Sequence, residues 1–180
     1  MRRLLAMLMA AILAMTLCTA VSEEETEEVL YYLTSFDCED LDGNPVDISI
    51  FDGAQLVLID CWEAWCHWCL EEMPDLNELY ELNKDNGLMI VGLSGLSPAE
   101  RFDPKATAED LKITYPLVNG TAELLPFVPE GFPTTLVYQR QEDGSLLLLG
   151  YIPGYLPREQ WNQLLQEFLP GAVTEAVSDQ

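Results

Sequence analysis

The sequence predicts an α/β domain: a central mixed β-sheet flanked by helices, with an N-terminal β-hairpin extension. Three observations predict it. Residues 56–62 (LVLIDCW) and 88–93 (LMIVGL) are short apolar runs suited to strands buried on both faces. Between them Leu70, Met73, Leu76, Leu79, Tyr80 and Leu82 recur at helical spacing, which makes a βαβ unit with parallel pairing. Residues 135–139 and 146–151 then flank Asp143-Gly144, the signature of an antiparallel hairpin, so the sheet is mixed.

The elements follow in order. Residues 1–20 read as a signal peptide: Arg2 and Arg3 precede an uncharged apolar run from Leu4 to Leu17, with small residues at Thr19 and Ala20. The run is too short to favour a spanning helix. Cys18 raises lipid attachment as an alternative, but Leu17 is bulky where such a signal needs a small residue; an uncleaved anchor is the third reading. All three place the domain outside the cytoplasm. Residues 21–34, which include SEEETEE, read as an acidic linker, because adjacent like charges resist packing. The folded domain spans 35–170. Residues 36–38 and 46–48 flank Asp42-Gly43 and form a hairpin. A helix runs from Cys66 to about Asn83, with Pro74 inside it and Gly87 at its end. Residues 97–100 (SPAE) resemble a capping box, and Thr107 is expected to cap a helix running through Leu111. Pro157 opens the last helix, whose apolar stripe is Trp161, Leu164, Leu165, Phe168 and Leu169, with Gly171 as its stop. Residues 171–180 lack periodicity and read as a loose tail.

The charge balance excludes some functions. With 31 acidic residues against 8 basic ones the chain carries −23, and −25 once Arg2 and Arg3 leave with the leader. Such a surface repels nucleic acid and anionic lipid. It also keeps a protein soluble, which is reason enough for it. No internal repeat is present, and a monomer is expected.

Chemistry concentrates in residues 60–74, DCWEAWCHWCLEEMP, which hold three cysteines, three tryptophans and the only histidine. A structural zinc needs four ligands, and a single Cys-x-x-Cys pair does not supply them. Haem attachment needs a histidine after the second cysteine, where Leu70 stands. Copper delivery would call for a second histidine. Cys61, inside an apolar run, reads as a small buried residue; a Cys38–Cys61 disulfide is left open. Cys66 and Cys69 differ. They fall where a strand and short turn feed a helix N-terminus, whose unpaired N–H groups and dipole favour a thiolate. One turn apart, the two can close a bond reversibly, the first exposed and the second behind it. The pattern is that of a redox centre, which requires no cofactor and no metal.

"WEAWCHWC" followed by "EEMP" resembles the thioredoxin superfamily, specifically its extracytoplasmic TlpA/ResA-like thiol–disulfide oxidoreductases. The similarity runs from about Phe36 to Phe168 and includes "DLDGNPVDI", "ITYPLV" and "GFPTTLVY". The resemblance implies a thioredoxin-like fold, a cis-proline at Pro133 beside the active-site disulfide, and a buried acid at Asp60 beneath Cys69. The chain departs from the family pattern at His67-Trp68, at Cys61 and at Glu63, which leaves the redox potential unspecified.

The chemistry expected is thiol–disulfide exchange: Cys66 attacks, Cys69 resolves, and Asp60 takes the Cys69 proton. Trp65, His67, Trp68, Phe132 and Thr134 are candidate substrate contacts. His67, if protonated, favours the Cys66 thiolate. Glu71 and Glu72 read first as surface residues of the opening helical turn, although Glu72 matches a family glutamate near the site. The resemblance implies disulfide-bearing or dithiol partner proteins outside the cytoplasm, an upstream membrane thiol donor, and the reductase direction. The rival readings are a disulfide-forming oxidase, a peroxide-reducing enzyme, which would need a Thr-x-x-Cys setting that is not found, and a non-catalytic binding module.

Overall fold

The computed structural model describes residues 30–96, 102–120, 124–125 and 130–175. The leader and the SPAE segment lie outside them. The elements are β1 (Tyr32–Leu33), β2 (Cys38–Asp40), β3 (Pro45–Val46), β4 (Leu56–Cys61), α1 (His67–Asn83), β5 (Leu88–Ser94), α2 (Pro104–Leu111), β6 (Leu117–Asn119), β7 (Thr134–Arg140), β8 (Leu146–Pro153) and α3 (Arg158–Phe168).

All the strands form one mixed sheet in the order β1-β8-β7-β4-β5-β6-β2-β3. All six residues of β4 are buried, as its unbroken apolar run requires. It pairs in parallel with β5, from Leu56↔Leu88 to Cys61↔Leu93, and antiparallel with β7, from Leu56↔Gln139 to Cys61↔Thr134. The steps from β4 to β5 and from β5 to β6 move the same way across the sheet. Right-handed crossovers therefore set α1 and α2 on one face. Leu56, Leu58 and Trp62 of that face share a core with Met73, Leu76 and Leu79 of α1, Ala108 of α2 and Trp161 and Leu165 of α3. The opposite face buries Val57, Ile59, Val91 and Leu136 against Phe36 and Phe51.

Several sequence expectations are corrected. The linker reading ends too late, because Tyr32 and Leu33 pair with Leu147 and Leu146 of β8; the run LYYL has the residue types that suit a strand. The first hairpin is shifted. Cys38 pairs with Val46 and Glu39 with Pro45, while Ile48 opens a 3₁₀ turn whose Ser49 N–H donates to the Asp47 carboxylate, a local bond that competes with strand pairing. Thr107 is no cap. Asp103 accepts from the N–H groups of Lys105 and Ala106 with Pro104 at the first position, and Thr107 sits inside the helix, its hydroxyl donating to the Asp103 carbonyl at 2.8 Å. In α3, Phe168 is half-exposed and Leu169, just past the helix, is buried instead. Nor is the start of the tail loose. The Asn83 amide donates to Val173 O and accepts from Val173 N, both at 2.7 Å, and Arg158 donates to Thr174 O at 3.1 Å. The short strand β6 is an element the sequence reading did not assign.

Candidate active site

β4 ends at Cys61, and the turn 62–65 delivers Cys66 to the start of α1. Cys66 is the N-cap, and its sulfur accepts the Cys69 N–H at 3.1 Å. The cap uses a cysteine sulfur where serine or aspartate is usual, and it satisfies one of the helix's orphan donors. Cys66 and Cys69 are joined as a disulfide, with Cα atoms 5.3 Å apart. The expected asymmetry of exposure is slight. Cys66 is 4% accessible and Cys69 is fully buried.

Aromatic rings border the pair. Trp62 is buried in the same core cluster as the cysteines. Trp65 is exposed and meets Phe132 edge-on, with ring centroids 5.8 Å apart. On the other side Trp68 is exposed, 5.2 Å from the His67 ring and 5.5 Å from that of Tyr155. Tyr155, in the loop after β8, is a rim residue that the sequence reading missed; no pattern short of the fold places it there. The Phe132–Pro133 bond is cis. Because Thr134 opens β7 opposite Cys61, Pro133 lies at the same end of the sheet as the cysteine turn. Its carbonyl accepts from Gly154 N at 2.8 Å. Thr134 is buried and its hydroxyl donates to Gly131 O at 2.8 Å, so it closes the turn before β7. His67 is exposed at the first helical position.

Two acids lie under α1. Along β4 side chains alternate between faces, and Leu56, Leu58 and Trp62 face the helices, so Asp60 faces α1 as well. It is buried, and neither carboxylate oxygen has a hydrogen-bond partner among the described residues. Burial, and then the charge of Glu72, hold its carboxyl well above the usual range; the Thr135 hydroxyl opposes the shift but is not in hydrogen-bonding geometry. Glu72 is corrected from surface to core. Cys69, Glu72, Met73, Leu76 and Leu79 form the buried stripe of α1, and Glu72 is 1% accessible. Its Oε1 accepts from Leu156 N at 2.6 Å and from Trp161 Nε1 at 3.1 Å. Burial pushes its carboxyl up to about 7 against these two bonds, and Asp75 adds to the rise. The helix opens at His67 and has no acid in its first turn, so Glu72 stands in the second turn and not at the dipole-favoured position the sequence reading gave it; the signal for burial was its spacing of three from Cys69 and four from Leu76.

Cys38 and Cys61 are unbridged. Burial raises the Cys61 thiol well above its ordinary value, and burial and then Asp37 raise that of Cys38 to about 11. Both are inert thiols by this measure. Among the described residues no group of three or more His, Cys, Asp or Glu is arranged to hold a metal.

A dithiol capping a helix N-terminus at the end of a buried parallel strand, on a mixed sheet with helices packed against it, defines a thioredoxin-like thiol–disulfide oxidoreductase. Comparison with known proteins agrees. The sequence model of the AhpC/TSA family matches residues 32–124. The chain belongs to the AhpC/TSA family. It is 26% identical over 173 residues to the thiol-disulfide oxidoreductase ResA of Bacillus thuringiensis subsp. konkukian, covering 91% of this chain and 97% of that one. The solved thioredoxin domain of a thiol-disulfide oxidoreductase from Bacteroides vulgatus superposes with a TM-score of 0.58 at 27% identity, over 77% of this chain and 96% of that one. A thioredoxin-family thiol:disulfide interchange protein from Chlorobium tepidum reaches 0.64 at 21% identity, over 79% and 99%, a likeness that speaks for the fold alone.

Proposed function

We propose that this enzyme exchanges disulfides with partner proteins outside the cytoplasm, in the reductase direction, through Cys66 and Cys69. The observation that carries the proposal is the placement of the pair: Cys66 at the cap, Cys69 one turn deeper, and exposed Trp65, Trp68 and Tyr155 around them. In the reduced enzyme the Cys66 thiolate attacks a partner disulfide and forms a mixed disulfide. Cys69 then attacks the Cys66 sulfur, the partner leaves as a thiolate, and Asp60 accepts the Cys69 proton. Trp65, Phe132 and Trp68 offer apolar contacts to the partner segment, and Phe132, before Pro133, offers its backbone as a strand-like docking edge. Each turnover leaves Cys66–Cys69 oxidised, so a dithiol donor at the membrane must return two electrons.

The direction is supported by electrostatics. Buried carboxyls, and no buried cation among the described residues, lie beneath the dithiol, which disfavours a stabilised thiolate, the feature that makes a strong oxidant. The location is supported by the charged start and apolar run of residues 1–20. The enzyme acts as a monomer.

The test is trapping. Cys69→Ala, expressed in the native envelope, accumulates mixed disulfides through Cys66, and Cys66→Ser abolishes insulin reduction while Cys38→Ser retains most of it. Insulin reduction that survives Cys66→Ser refutes the assignment.

A further inference from the structure

We infer that the rim around the dithiol selects partner segments in which lysine or arginine flanks the reacting cysteine, each cation held between an exposed tryptophan ring and a glutamate carboxylate. This rests on the dithiol reading above and names the partner chemistry that the reading leaves open.

The rim has two sides built alike. On one, Trp65 meets Phe132 edge-on with ring centroids 5.8 Å apart. Glu130 stands two residues before Phe132, next to the turn that the Thr134 hydroxyl closes onto Gly131 O. On the other, Trp68 lies 5.2 Å from the His67 ring and 5.5 Å from that of Tyr155. Glu71 follows His67 by four residues and Trp68 by three, so it sits beside both on the outer face of α1. Both tryptophans and both glutamates are exposed.

Neither carboxylate serves the protein itself. Among the described residues Glu71 and Glu130 make no ion pair. The described cations are engaged elsewhere: Lys84 with Glu81, Lys105 with Asp42, Arg140 with Asp52, and Arg158 with Asp75 and Glu78, while Lys112 closes α2. The chain as a whole carries −23, which solubility alone would explain. Solubility does not explain two unpaired carboxylates beside exposed indoles. Apolar rings left in solvent and bordered by polar groups mark a surface that meets a partner.

Charge decides which partner. Indole binds cations best of the aromatic faces, and a neighbouring carboxylate adds attraction of its own. A lysine or arginine therefore finds an apolar wall for its stem and two negative partners for its head. A glutamate flank would meet Glu71 or Glu130 as a like charge, and an uncharged flank would gain only the wall. The net charge acts at longer range, drawing basic segments in and holding acidic ones off. The chemistry gains as well. When Cys69 attacks, the Cys66–Cys69 bond forms, the Cys66–partner bond breaks and the electron pair leaves on the partner sulfur. A cation beside that sulfur stabilises the departing thiolate.

The test mixes the reduced protein with three peptides, each closed by one disulfide, whose cysteines are flanked by lysine, by glutamine or by glutamate. Peptide dithiol, resolved by chromatography after an acid quench, forms as Cys66–Cys69 closes, so no further reductant is needed. Exposed ion pairs and cation–π contacts are each worth a factor of about two to five. The lysine peptide should react about tenfold faster than the glutamate peptide in about 0.05 M salt, and the ratio should shrink in about 0.5 M. The peptides' own reactivity is common to every enzyme, so the variants decide. Glu71→Gln/Glu130→Gln should cut the lysine-to-glutamate ratio about threefold or more, and Trp68→Leu the lysine-to-glutamine ratio about twofold. Glu142→Gln/Glu167→Gln makes an equal change of charge in the β7–β8 turn and at the end of α3, and should leave the lysine-to-glutamate ratio at its wild-type value. A wild-type ratio near one, an equal fall in both double variants, or a ratio untouched by either rim variant overturns the inference. The glutamine peptide reports the dithiol reading separately. Its reduction by wild type and not by Cys66→Ser upholds that reading whatever the ratios show, and failure to reduce any of the three sinks both.

Discussion

Glu72→Gln should make the protein more stable at neutral pH than in acid, relative to wild type. The folded protein holds the Glu72 proton up to about 7, whereas the ordinary value is 4.5. Below the ordinary value both folded and unfolded chains carry the proton, and the residue adds no slope. Between the two values the unfolded chain has released it and the folded chain has not, so the folded state binds more protons and stability falls as pH rises. Above about 7 the loss is complete. At about 1.4 kcal/mol per pH unit this interval amounts to about 3 kcal/mol. Glutamine keeps an oxygen for Leu156 N and Trp161 Nε1 and has no proton to lose. Urea unfolding of the oxidised protein at several pH values measures the effect. Variant stability minus wild-type stability should rise by about 3 kcal/mol between about pH 4 and about pH 8, and removal of the Glu72 charge, which raises the Asp60 carboxyl, acts in the same direction. A difference that stays flat across that range would refute the burial-driven shift.

Three further outcomes follow from the packing. Gly92→Ala drives a methyl into Leu117 Cδ2 and against the Trp62 and Tyr115 rings, so thermal or urea unfolding should show a loss of about 1–3 kcal/mol, typical of overpacking. Asn83→Ala removes the side chain that holds Val173 by both its N–H and its C=O, at about 1–3 kcal/mol, and amide exchange at Val173 should accelerate. Asp103→Ala uncaps α2 at a loss of about 1 kcal/mol in urea unfolding.

The sequence carried the centre of the molecule well. β4, α1 and β5 were readable because each signal is local: an unbroken apolar run, a 3.6-residue stripe, a glycine stop. The fate of Cys66 was readable for the same reason, since a cap position depends on its immediate neighbours. What escaped depends on distant partners. β6 is three residues long and exists because β5 and β2 flank it. Tyr32 and Leu33 form a strand because β8 offers an edge. Asn83 and Val173 are 90 residues apart, and nothing in either segment announces the bond. Glu72 misled through its type and its expected place, because a glutamate near a helix start usually serves the dipole in solvent, whereas the helix opens at His67 and sets Glu72 a turn further in.

The position of β1 and β2 has a consequence for shape. They occupy places six strand spacings apart in the sheet order, which in a flat sheet is about 29 Å at about 4.8 Å each. Only residues 34–37 separate them in the chain, and the steps from Leu33 to Cys38 reach at most about 19 Å at 3.8 Å each. The sheet must therefore curl into a trough, hollow on the side away from the helices. Phe36, at the middle of the strap, is fully buried in that hollow with Phe51. The first turns of the folded domain thus work like the tie of a half-closed barrel, and cutting the strap would let the trough flatten while the dithiol on its convex side kept its helix.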